Sequence, residues 1–225
     1  MASISQKLVI NAASWTILAT LVNAPLANSA TLVDNGSEIF AAWLSDFDES
    51  VQLADRFTLN KDAEITEITW SGQYFDNGTP LVDDFTIRFF EIDGETVSPD
   101  PLVELNPSSV DRKDSGIDFF MLDMFDYSTT FAPFTLMQGE YLLSIVNNTT
   151  EEPDNWFWSS TLPPPTQDYV HFYREKDGEP WQGNFLGNMA FTIAGKSTSV
   201  PEPSTILGIV FVLGLGAISR KSKTK

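Results

Sequence analysis

At 225 residues with a formal net charge of −18 and no cysteine, the chain has room for one sizeable domain, whose core must hold without disulfides, thiolate chemistry or cysteine-bound metal. An acidic surface of this strength repels nucleic-acid phosphates and anionic lipid headgroups, which excludes a DNA- or RNA-binding role. The charge is uneven: residues 1–30 contain no acid, residues 31–199 hold 30 acids against 8 bases, and the last six residues carry four bases.

Residues 1–30 read as a secretory signal peptide. Lys7 precedes the mostly apolar stretch 8–22 (LVINAASWTILATLV), and 24–30 (APLANSA) offers Ala27 and Ser29 for a signal peptidase cut ahead of Ala30 or just after it. From residue 31 to 196 the pattern is all-β. Strands are expected at 52–59 (QLADRFTL), at 64–70 (EITEITW) and within 83–92 (DDFTIRFFEI), where Phe85, Ile87 and Phe89 alternate with Thr86, Arg88 and Phe90. Further strands are expected at 119–125, 139–146, 155–160 and 169–174, and at 189–193, where Met189, Phe191 and Ile193 share one side. In EITEITW the period slips, because Ile68 and Trp70 share a face and Ile65 does not; this predicts a bulge.

Asn77-Gly78, Asp93-Gly94 and Asp177-Gly178 supply turns. The stretch 98–116, with Pro99, Pro101 and Pro107, reads as a long surface connection, as does 162–167 with its three consecutive prolines. No amphipathic helix with capping signals stands out. Seven or eight short strands in about 165 residues predict an antiparallel β-sandwich over 31–196, with a jelly roll as one form of it. A polar linker beginning at residue 197 follows.

No recognisable reaction site emerges. His171 is the single histidine, and no serine or acid stands beside it in a known signature, so an enzyme is not expected. Asp46-Phe47-Asp48-Glu49 and the pair Asp83-Asp84 offer oxygen donors for calcium, or two acids for glycoside cleavage, but neither has the full spacing of a calcium loop. The sequons at Asn35, Asn77, Asn147 and Asn148 read as turns. Trp156 and Trp158 share one strand face, which leaves two uses open: stacking on the sugar rings of an exopolysaccharide, or filling the core together with Trp70 and Trp181.

The C-terminal stretch is organised differently. Residues 206–218 (ILGIVFVLGLGAI) form an uninterrupted apolar run that as a helix spans roughly 20 Å, against about 30 Å of hydrocarbon core. Thr205 and Ser219 extend it to a short transmembrane segment, 205–219, with Arg220, Lys221, Lys223 and Lys225 as a cytoplasmic stop-transfer tip. Pro201 and Pro203 disfavour helix in the preceding residues and hold Val200 and Glu202 extended, the form a protease needs. This order of VPEPS, apolar run and basic tip resembles the PEP-CTERM sorting signal of exported proteins. The resemblance implies that a membrane-embedded exosortase recognises Pro201, Glu202 and Pro203 and cuts there, so that the tail is a temporary anchor and the product is a cell-surface, envelope or extracellular-matrix protein. In the body, ADRFTL, EITEITWSGQYF, DDFTIRFFE, GEYLLSIVNN and NWFWSS, in that order, resemble a β-sandwich module of exported PEP-CTERM proteins. Its recurring ADDF strand is here Ala54-Asp55-Arg56-Phe57, with arginine in place of the second acid.

Overall fold

Alternating apolar and β-branched residues make this chain a succession of strands, and among the described residues no helix interrupts them. The computed structural model describes residues 29–36, 39–75, 82–150, 154–161, 171–184 and 187–198. The expected signal region 1–28, the Asn77-Gly78 turn, the connection 162–167, the sorting residues Val200, Pro201, Glu202 and Pro203, the segment 205–219 and the basic tip Arg220, Lys221, Lys223 and Lys225 lie outside them.

In chain order the strands are β1 (Ala30–Asp34), β2 (Ile39–Leu44), β3 (Gln52–Leu59), β4 (Ala63–Tyr74), β5 (Phe85–Asp93), β6 (Thr96–Val97), β7 (Val103–Leu105), β8 (Asp111–Phe119), β9 (Leu122–Leu136), β10 (Gly139–Asn147), β11 (Trp156–Thr161), β12 (His171–Arg174), β13 (Gln182–Asn184), β14 (Asn188–Met189) and β15 (Phe191–Ser197). They form two antiparallel sheets. An eight-stranded sheet runs β1-β15-β4-β11-β14, with β2 on β11 and the β8–β9 hairpin on the other side of β4; a seven-stranded sheet runs β13-β12-β3-β10-β5, with β6 and β7 on β5.

The inner faces meet through aromatic rings. Phe85 of β5 lies 5.1 Å from Trp70 and 4.9 Å from Trp156 of the opposite sheet, Phe89 lies 5.2 Å from Phe134, and Phe57 lies 6.3 Å from Phe191. Edge-to-face packing of this kind adds to the area these rings bury, and the arrangement is the all-β, sandwich-like fold that the alternation predicts. Phe90, on the other face of β5, joins Ala54, Ile92 and Leu142 in a second, smaller cluster packed by Phe172 and Trp181.

The predicted bulge is present. The register of β4 shifts between Ile65 and Glu67 against β9, and that of β15 shifts between Ala194 and Gly195, so Ile65, Ile68 and Trp70 are all buried. A Cβ at Gly195 would collide with the Glu64 carbonyl oxygen, so the bulge requires glycine there. Two expectations are corrected. The stretch 98–116 is not a connection, because β7 and most of β8 lie in it; β8 (DRKDSGIDF) is an edge strand with exposed polar residues on both faces and therefore lacks alternation. The expected strand 119–125 is broken at Phe120-Met121, which form the turn between β8 and β9.

Both ends of the described fold lie at one pole. β1 pairs with β15, placing Ala30 opposite Gly195, and Ser197 lies opposite Ala63, where β4 begins. Ser29 hydrogen-bonds through its hydroxyl to that of Thr66 at 3.2 Å, and the Thr198 amide donates to the Asp62 carbonyl at 2.8 Å. From there β4 runs along a contour of roughly 36 Å to Tyr74. The β8–β9 hairpin turns at that opposite pole.

Candidate functional site

Trp156 and Trp158 sit in the core, both fully buried. The Trp158 indole donates to the Ala190 carbonyl at 3.0 Å, and Trp156 packs against Gly72, where an added Cβ would stand 2.5 Å from its ring. Neither ring presents a face to a sugar, so the stacking use is corrected in favour of core filling. Within EITEITWSGQYF, Trp70 packs in the core, Gly72 makes room for Trp156, and Tyr74 donates to Asp83 at 2.7 Å.

The carboxylate candidates are held by their neighbours. Asp46 is buried and accepts from the Asp48, Thr149 and Trp156 amides and from the Thr149 hydroxyl, tying the β2–β3 turn to the ends of β10 and β11. Burial pushes its carboxyl above the ordinary range despite those donors. Asp83 accepts from Tyr74 and, at 3.0 Å, from Arg112, while Asn147 donates to the Tyr74 hydroxyl at 2.9 Å. Burial and then the Tyr127 and Asp83 charges raise the Tyr74 phenol, which therefore acts as a hydrogen-bond relay. Asp84 accepts from the Asn148 side chain at 2.9 Å. Among the described residues no group of three or more His, Asp or Glu side chains is placed to hold a metal ion. His171 is buried against the Trp43 ring at 5.5 Å with Nδ1 3.4 Å from the Gly187 carbonyl, and burial lowers its pKa, so it stays neutral.

Two further polar features escape a reading of the sequence. Asp55 of the ADRF stretch is buried between the sheets; its Oδ2 accepts from the Met189 amide at 2.6 Å and from Asn35 at 3.1 Å, and its Oδ1 accepts from the Arg56 amide at 2.8 Å. Burial raises this carboxyl to about 7. The Arg56 side chain points to Glu140 at the surface, 3.8 Å away. On the outer face of the seven-stranded sheet, Arg88 and Arg174 both donate to Asp177 and to Gln52, and the Arg174 guanidinium lies 4.5 Å from the Trp181 ring and 4.9 Å from Phe90. The expected Asp177-Gly178 turn supplies that carboxylate.

A groove of about 440 Å³ lies across the outer face of the eight-stranded sheet. Residues of β4 that alternate with its core side chains, Glu67, Thr69 and Ser71, line it together with Asp126 and Ser128 of β9, Asp111 and Lys113 of β8 and Thr192 of β15. Ser71 donates to Asp126 at 2.7 Å, and Lys113 pairs with Asp111 at 2.9 Å. Trp70, Tyr127 and Phe191 also border the groove but are buried, so its accessible side-chain chemistry is hydroxyl, carboxylate and the Lys113 ammonium.

No protein-family model matches the chain, and no curated protein matches it. Its functional reading therefore rests on its own residues.

Proposed function

We propose that this is an exported, non-enzymatic surface or matrix protein: a sandwich delivered by the signal segment 1–30, held by the segment 205–219 with its tip Arg220, Lys221, Lys223 and Lys225, and released when an exosortase cuts at Pro201, Glu202 and Pro203. The observation that carries this reading is the pairing of β1 with β15, which brings both ends of the sandwich to one pole. Two apolar segments leaving the same pole can enter one membrane without threading past the body. Among the described residues the first strand starts at Ala30 and the last ends at Ser197. The passage of the chain between sheets at β3, β4 and β5, and again at β9, β10 and β11, supports the jelly-roll form of the sandwich. Mass spectrometry of the mature protein from its native host tests the proposal: the expected product starts near Ala30 and ends near Pro203. A product retaining residues 206–225 refutes it.

The groove favours a second reading, an exopolysaccharide-binding module. Paired hydroxyls and carboxylates such as Ser71 and Asp126 match the donors and acceptors of a polyhydroxylated ligand. Calcium held by an acid-rich loop is an optional part of this reading. Binding to a polysaccharide panel should be lost in Asp126→Asn with Ser71→Ala and kept in Phe157→Ala, a β11 ring that stacks on Phe75 and does not line the groove; equal loss in both variants counts against it.

A further inference from the structure

The hairpin β8–β9 ends in a feature that violates three local rules at once. Phe119 pairs with Leu122 across a two-residue turn, Phe120-Met121, in which both residues have positive φ, 53° and 66°. That left-handed conformation is the one for which Asn-Gly is preferred in such turns, and bulky side chains adopt it at a cost. Both side chains stand in solvent, Phe120 79% and Met121 90% exposed. The next rung pairs Asp118 directly with Asp123, two like charges facing each other. Strain, exposed apolar bulk and a directly opposed acid pair thus coincide at the pole farthest from the chain ends. Departures from local consistency concentrate at functional positions.

We infer that this tip docks a polypeptide partner that presents an apolar stripe flanked by lysine or arginine, with Phe120 and Met121 seated on the stripe and Asp118 and Asp123 facing the cations. Charge complementarity selects this occupant. An approaching base relieves the Asp118–Asp123 repulsion, whereas a second copy brings the 30 acids and 8 bases of its own residues 31–199, and an anionic membrane repels the acid collar. The left-handed turn keeps both apolar side chains pointing outward before the partner arrives, so little ordering is needed on binding.

The test uses the full chain in neutral-lipid nanodiscs and a fluorescein-labelled fourteen-residue helical peptide of leucine and lysine, with its leucines on one stripe; anisotropy is corrected for empty discs. The charge-neutral double substitution Phe120→Asn with Met121→Gly should weaken binding at least tenfold while raising the melting temperature, since it installs the residues this turn favours. Asp118→Asn with Asp123→Asn should weaken binding severalfold and flatten its salt dependence. Peptide binding that is absent in the parent chain, or equal in the Phe120→Asn, Met121→Gly variant, overturns the inference. So does energy transfer to added phosphatidylcholine vesicles that the same variant abolishes, which would assign the tip to a membrane. Concentration-dependent self-association lost in that variant would assign it to a second copy and equally overturn it.

Discussion

Replacing Asp55 by Asn probes the sandwich where its two sheets are tied by a buried carboxyl. In the unfolded chain this carboxyl titrates near 3.9, and in the folded protein burial moves it to about 7. The folded state therefore holds the proton more tightly between those values. Stability from Asp55 is fully present below about pH 4 and is lost as pH rises through 7. A displacement of about three units is worth on the order of 4 kcal/mol in all, of which roughly 3 kcal/mol falls between pH 5 and pH 9. Asn keeps one acceptor for Met189 and Asn35 but turns an amide toward the Arg56 N–H, a loss of about 1 to 3 kcal/mol relative to the protonated carboxyl. The penalty of Asp55→Asn should thus be largest at pH 5 and should shrink by about 3 kcal/mol, to zero or beyond, at pH 9. Urea unfolding of the parent and variant proteins, followed by tryptophan fluorescence at several pH values, measures it. A penalty that stays constant from pH 5 to pH 9 refutes the assignment of a shared, proton-retaining carboxyl.

Gly72→Ala should fold poorly, because the new methyl meets the Trp156 ring 2.5 Å away; a loss of about 1 to 3 kcal/mol is expected from calorimetry. Trp158→Ala removes a fully buried ring and its bond to Ala190, and its melting temperature should fall by roughly 10 °C from a cost of about 3 to 5 kcal/mol. Arg174→Ala loses the contacts to Gln52, Asp177, the Pro99 carbonyl and Trp181, for about 2 to 4 kcal/mol. Combined with Trp181→Ala, its effect should be less than additive by at least about 0.5 kcal/mol in a double-mutant cycle; strict additivity would deny that the ring and guanidinium interact.

Elements with a regularly apolar inward face were legible in the sequence because that period-two pattern is a direct record of burial. Phe85, Ile87 and Phe89 point into the core, and the slip in EITEITW marks a real bulge. Strands whose side chains meet solvent on both faces, β8 above all, leave no such record. The stretch FFMLDMF reads as a strand although its Phe120-Met121 step is a turn, since its residues are those of a strand interior and only the backbone φ values betray the reversal. The groove was illegible for another reason. Glu67, Ser71, Asp126 and Thr192 come from three strands far apart in sequence, and each taken alone is an ordinary surface residue. Asp55 stands in the ADRFTL stretch, but nothing local indicates that its carboxyl reaches Asn35 and Met189.

The position of β15 between β1 and β4 also has a mechanical consequence. A pull at residue 198, resisted at the hairpin tip, draws this strand lengthwise between two partners. Its rungs then share the load in parallel, where an edge strand would peel open one bond after another. A body moored through that exit meets drag from flowing liquid with one of its most deeply laced strands.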